Sequence, residues 1–184
     1  MTYDDQDHLR RLPLLDRVLI GSEELSHRVV QLGNEIGRDY PDSVPLLVCI
    51  LKGAYVFLAD LARSISIAHE VDFMAVSSYE GGTQSTGVVK IEKDLRANIT
   101  NRDVIIVEDI VDSGLTLNHL MELLGTRSPR SIRVCTLLDK AAARVKDVPI
   151  DYRGFEIPKE FVVGYGLDYD EKYRNLPFIG VLKP

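Results

Sequence analysis

Three apolar runs constrain the fold more than any other feature of the chain: "LLVCIL" (46–51), "VIIV" (104–107) and "IRVCTLL" (132–138). Each reads as a buried strand. Between them the apolar residues recur at helical spacing. A capped amphipathic helix is predicted from Ser22, with Glu24 in its first turn and Leu25, Val29, Leu32 and Ile36 on one face. A second helix follows a turn at Gly53 and carries Leu58, Leu61, Ala62 and Ile65; a third carries Leu117, Leu120, Met121 and Leu124. Strands alternating with helices predict an α/β fold, a mostly parallel sheet flanked by helices. "VDFMAVSSY" (71–79) supplies a further strand, and the chain returns to order at "VVKIEKDL". The stretch from Glu80 to Gly87 contains no apolar residue and is predicted to be a mobile loop. After Lys140 come "DYRGFEI", "FVVGYGLDY" and "FIGVL" without a comparable helix, which predicts a small appendage instead of another strand–helix–strand unit.

With 184 residues, 45% of them hydrophobic, the chain is long enough for one core and too short for two. Its 28 acidic and 22 basic residues give a net charge of −6, which argues against nucleic acid as the main partner. The first fifteen residues carry acids where a secretory signal needs a basic region and an apolar run, and no segment is apolar enough to span a bilayer. No membrane role is expected, and the expected location is cytoplasmic. Cys49 and Cys135 lie in apolar runs without companion Cys or His at metal-binding spacing, so they read as small buried hydrophobes.

The strand "VIIV" runs straight into "EDIVDSGLT", placing Glu108, Asp109 and Asp112 within five positions at the end of a buried element. Like charges there need a cation or hydrogen-bond donors to offset burial. In an open parallel sheet the strand ends and the loops that follow them are where ligands bind. The turn from Asp112 to Thr116 offers backbone N–H groups and two hydroxyls at a helix N-terminus, a cradle suited to phosphate. Carboxylates beside a phosphate fit a ligand that also has a sugar diol, with a divalent metal between them. No Gly-Lys-Ser/Thr follows the glycine, which excludes a Walker motif. Taken alone, Asp112 or Ser113 also reads as a helix cap, with Glu108 and Asp109 solvated.

The acidic strand end and small-residue turn resemble the phosphoribosyl pyrophosphate motif of type I phosphoribosyltransferases. In order along the chain, "LKGAYVFLADL", "SSYEGGTQSTGVVKI", "VEDIVDSGLTL", "LLDK" and "GFEIPKEFVVGYGLDYDEKYRNLPFIGVL" resemble bacterial hypoxanthine-guanine phosphoribosyltransferases from about Leu14 onward. Two departures stand out: Ala141 replaces the usual proline after "LLDK", and Leu115 occupies a phosphate-loop position that is often polar. The resemblance implies one domain over 1–184, with a core of about 20–140. A small hood over the base site would be formed by 141–184 and the N-terminal segment.

The implied reaction belongs to purine salvage: transfer of the 5-phosphoribosyl group from phosphoribosyl pyrophosphate to N9 of hypoxanthine or guanine, releasing pyrophosphate. By resemblance, Ser113, Gly114, Leu115 and Thr116 hold the 5-phosphate, and Glu108 and Asp109 hold the ribose hydroxyls directly or through Mg2+. Asp112 is similar to the family's general base at N7. Lys140 would donate to the purine 6-oxo group, Phe161 would stack on the ring and Val162 would read its edge through the main chain. Asp168 resembles a second metal ligand and Arg174 a pyrophosphate contact. Lys52 and Gly53 match a loop that binds pyrophosphate through its main chain, with a non-proline cis peptide before the lysine in the family. Ser78 and Tyr79 would begin the lid that closes over the reacting groups. Family members form homodimers or tetramers. Two rivals remain at this level: a regulator that keeps the fold and binds nucleotide or RNA without catalysis, and an enzyme taking xanthine or adenine. Lys140 disfavours adenine, since an ammonium cannot accept from a 6-amino group.

Overall fold

The structure, a computed structural model, describes Asp5 and residues 12–78 and 89–183. The stretch 79–88, with Tyr79 and the expected mobile loop, lies outside the described residues. In chain order the elements are β1 (Leu15–Ile20), α1 (Ser22–Asp39), β2 (Leu46–Leu51), α2 (Tyr55–Ser64), β3 (Glu70–Ser78), β4 (Val89–Lys93) and β5 (Asp103–Val111). There follow α3 (Leu115–Gly125), β6 (Ser131–Asp139), a single 3-10 turn (Ala141–Ala143), β7 (Tyr152–Glu156), β8 (Val162–Val163) and β9 (Ile179–Leu182).

The large sheet has the order β4-β3-β2-β5-β6-β7. Every pairing in it is parallel except β3 with β4. The apolar runs follow from the position of β2, β5 and β6 inside that sheet, because alternate residues of one strand enter different cores. Leu47, Cys49, Ile105, Val107, Cys135 and Leu137 pack with α1 and α2. Leu46, Val48, Ile50, Val104, Ile106 and Val134 pack on the other face with Leu117, Leu120 and Leu124 of α3.

Ser22 turns out to be the first residue of α1 and not its cap. Gly21 is the N-cap, and the backbone N–H of Ser22 (2.8 Å) and its Oγ (3.2 Å) both donate to the Asp5 carboxylate. An anion at a helix N-terminus satisfies otherwise unpaired donors and complements the dipole, wherever in the sequence it comes from.

The appendage is a three-stranded antiparallel sheet of order β1-β9-β8, closed by a small core of Leu15, Val163, Leu176 and Phe178. β7 differs from the expectation. It pairs in parallel with β6 and extends the large sheet, although no long helix precedes it.

Candidate active site

Strand order decides where a site can form. From β2 the chain crosses to β3 on one side, and from β5 it crosses to β6 on the other, so the connections diverge between β2 and β5. The carboxyl ends of those two adjacent strands therefore flank a crevice that neither connection covers. Lys52 and Gly53 follow β2, while Glu108, Asp109 and Asp112 lie at the end of β5 and just beyond it. The two ends touch. A Cβ built on Gly53 would stand 1.6 Å from Oδ2 of Asp109, so only glycine lets this turn lie against that carboxylate. The Leu51–Lys52 peptide is cis.

The turn after β5 packs against the segment that follows β6. Gly114 has φ +80° and is the N-cap of α3, where it has no side chain to offer as a cap. Neither Asp112 nor Ser113 is thus the cap, and the Asp112 carboxylate is left for other work. Ser113 Oγ accepts from Leu115 N–H at 3.4 Å, and the Ser113 carbonyl accepts from both Val145 and Lys146 N–H at 2.9 Å. Arg144 donates to the Asp112 carbonyl at 2.9 Å and also to Asp139. Together these bonds hold the turn open around a cleft of about 120 Å³ lined by Glu108, Asp112, Ser113, Gly114 and Thr116. A larger hollow of about 660 Å³ near Asp5 and His27 lies at the start of α1, beside the end of β1 in the small sheet, away from the strand ends of the large sheet.

Lys140 follows β6, and its Nζ is 3.4 Å from Oδ2 of Asp112. The pair is asymmetric: the lysine side chain is 11% exposed and the aspartate 56%. A strand-ending surface lysine would be solvated; this one is buried and aimed at the crevice. Phe161 is exposed, beside buried Val162, and stands edge-on to Tyr169 with ring centroids 5.8 Å apart. Asp168 pairs with Arg174 at 2.9 Å, and Arg174 donates to the Gly166 carbonyl at 2.8 Å. Ser78 ends β3.

Burial pushes the Glu108 carboxyl well above its ordinary range, and the neighbouring Asp109 charge adds to this. Asp109 is pushed up to about 6, again chiefly by burial. The N–H of Ile110, donating at 2.9 Å, and the Arg174 guanidinium pull it back, while Asp168 raises it further. Among the described residues no hydrogen-bond donor or cation reaches the Glu108 carboxylate. Burial pushes the Cys49 thiol up to about 12, with Glu108 and Asp109 as lesser causes, so it is a packing residue and no nucleophile. Among the described residues no three His, Cys, Asp or Glu side chains converge to hold a metal by themselves, and Glu108, Asp109 and Asp168 do not close into such a set. Asp168 instead neutralises Arg174.

Sequence reasoning passed over three groups: Arg144, Asp139 and Glu171. Arg144, held by Asp139 at the end of β6, braces the turn that begins at Asp112. Glu171 stands between Lys52 and Arg174. The contacts that give them their roles are remote in sequence, Arg144 to Asp112 across 32 residues and Glu171 to Lys52 across 119, although Glu171 and Arg174 are only three apart.

An αL glycine turn at a helix N-terminus, with buried Glu108 and partly buried Asp109 beside it where strand order diverges, is the arrangement expected of a phosphoribosyltransferase, and the chain is a member of that class. The family described as "Phosphoribosyl transferase domain" matches residues 22–170. The hypoxanthine-guanine phosphoribosyltransferase of Bacillus subtilis is 53% identical over 170 residues, covering 92% of this chain and 94% of that protein. That of Mycobacterium avium is 55% identical over 173 residues, covering 91% and 85%. A crystal structure of a hypoxanthine phosphoribosyltransferase from Staphylococcus aureus superposes with a TM-score of 0.92 at 47% identity and 95% coverage of both chains. The chain belongs to the hypoxanthine-guanine phosphoribosyltransferase family.

Proposed function

We propose that this enzyme transfers the 5-phosphoribosyl group of phosphoribosyl pyrophosphate to N9 of hypoxanthine or guanine, forming IMP or GMP and pyrophosphate. The observation that carries the base assignment is the Lys140–Asp112 pair. O6 and N7 of a 6-oxopurine lie on one edge of the ring. A buried ammonium and an exposed carboxylate 3.4 Å apart match that edge: Lys140 donates to O6 and Asp112 accepts the N7 proton. As N9 bonds to C1 of the ribose, the C1–oxygen bond breaks, its electron pair leaves with pyrophosphate, and the proton is held on Asp112. An adenine 6-amino group would present donors to a donor.

The cradle from Ser113 to Thr116 receives the 5-phosphate through N–H groups at the start of α3. Glu108 and Asp109 accept from the ribose hydroxyls, and their negative field favours the positive charge that develops on the sugar. Phe161 stacks on the base, with Val162 beside it; Lys52, Gly53 and Arg174 receive the pyrophosphate. Lid closure through Ser78 and Tyr79 excludes water from the sugar cation.

The donor chemistry fits Mg2+: Glu108 and Asp109 offer hard carboxylate oxygens that form no salt bridge among the described residues, and Asp168 stands near them, paired with Arg174. Glu108, Asp109 and Asp168 would hold it, and because they form no closed set, substrate oxygens and water would complete its shell. When bound, Mg2+ would neutralise the leaving diphosphate. Two buried free cysteines support a reducing, cytoplasmic location, and family likeness supports a homodimer or tetramer. Among the described residues no helix is long and apolar enough to cross a membrane.

The test is an ultraviolet assay with phosphoribosyl pyrophosphate, Mg2+ and each of hypoxanthine, guanine, xanthine and adenine. Turnover is expected with the first two, none with adenine, and none after EDTA until Mg2+ is restored. Ligand binding without nucleotide formation would establish the regulator reading instead.

A further inference from the structure

The turn after β8 is strained where it meets the Lys52 turn. Asp170, Glu171 and Tyr173 all have positive φ (52°, 59° and 74°), a conformation unfavourable for non-glycine residues. What the strained turn accomplishes is the placement of one carboxylate. Glu171 N–H donates to Asp168 Oδ2 at 2.9 Å, and its Oε2 accepts from Lys52 Nζ at 3.1 Å and from Arg174 Nη2 at 3.4 Å. One oxygen thus bridges the Arg174 guanidinium and the ammonium of Lys52, a residue whose main chain is assigned above to pyrophosphate and whose side chain stands beside it.

We infer that Glu171 is an internal stand-in for the diphosphate, an acid that occupies its cations when the site is empty and must swing out when substrate binds. This rests on the pyrophosphate assignment of Lys52 and Arg174. The charge count supports it: Lys52 and Arg174 against Asp168 and Glu171 leave no net charge, so these four side chains attract an incoming diphosphate only once Glu171 departs. Departure is easy. The Glu171 side chain is 66% exposed and that of Lys52 68%, and exposed pairs of this kind are weak. Asp168, by contrast, keeps its 2.9 Å pair with Arg174 on better-buried side chains and holds the guanidinium in place throughout. Glu171 therefore sets affinity for the diphosphate-bearing substrate and eases release of pyrophosphate, without touching the base.

The test compares Glu171→Gln, Glu171→Ala and Arg174→Gln with the parent enzyme in Mg2+. Both Glu171 variants are expected to lower KM for phosphoribosyl pyrophosphate and the inhibition constant of pyrophosphate by about two- to fivefold, the scale of an exposed ion pair, with KM for hypoxanthine unchanged. The effect should shrink at high salt. Unchanged or weaker pyrophosphate inhibition in both variants would overturn the inference. Arg174→Gln separates this from an error in the underlying assignment: it should weaken pyrophosphate inhibition. If it does so while the Glu171 variants do not tighten it, only the stand-in role fails; if it has no effect, the diphosphate site itself is wrong and the inference falls with it.

Discussion

Replacing Asp109 with Asn should make the protein more stable and the enzyme worse. The folded-state carboxyl titrates near 6 where the ordinary value is 3.8, a difference of roughly two units, or about 3 kcal/mol at 1.36 kcal/mol per unit. Asp109 keeps some contact with solvent, so screening reduces the usable figure to about 1–2 kcal/mol. The sign follows from which state holds the proton more tightly. A carboxyl whose folded value lies above its unfolded value opposes folding wherever it is ionised. The penalty is absent below about pH 4, grows between pH 4 and 6, and is complete above pH 6. Asn keeps the Oδ1 acceptor that receives the Ile110 N–H and fits the space beside Gly53, so little but the charge is removed. At about 2–4 °C per kcal/mol for a chain of this size, Tm should rise by about 2–8 °C at pH 8, and the two proteins should converge at pH 4. Thermal melts followed by circular dichroism from pH 4 to 8 measure this, alongside nucleotide formation at neutral pH, which should fall. A less stable variant at pH 8, or a gain that does not change with pH, would refute the argument that the site holds its acids against their own electrostatics.

Asp112→Asn should lower turnover by about 10²–10⁴ with phosphoribosyl pyrophosphate affinity little changed, because Asn cannot take the N7 proton; steady-state rates and calorimetry check this, and activity within a few-fold of the parent would remove the base assignment. Lys140→Ala should raise KM for hypoxanthine far more than KM for phosphoribosyl pyrophosphate, and unchanged hypoxanthine kinetics would exclude it as the base-reading donor. Gly114→Ala should cost about 1–2 kcal/mol from the left-handed backbone alone, and more because its Cβ would lie 2.3 Å from the Lys146 carbonyl. Urea unfolding reads that loss, and KM for phosphoribosyl pyrophosphate should rise with it as the cradle shifts.

Local chemistry made much of this protein legible before any coordinates. The runs at 46–51 and 104–107 are apolar on both faces because their strands have helices on both sides, and 132–138 departs from this only at Arg133 and Thr136, so that property is written in consecutive residues. The crowding of Glu108, Asp109 and Asp112 ahead of a glycine turn is equally local, since strand end, turn and helix start are contiguous. What the tertiary structure decided is everything that depends on distant segments meeting. β7 joined the large sheet and β1 found β9, because exposed strand edges pair with whatever the packed core brings beside them. Asp5 took over the capping expected of Ser22 at the start of α1 for the same reason. Lys140 became a buried partner of Asp112, and Glu171 came to rest between Lys52 and Arg174, through approaches across 28 and 119 residues. Periodicity and turn chemistry report what a residue's neighbours in sequence require of it. Register and the approach of remote turns are set by burying the whole core at once, so these contacts exist only in the folded chain.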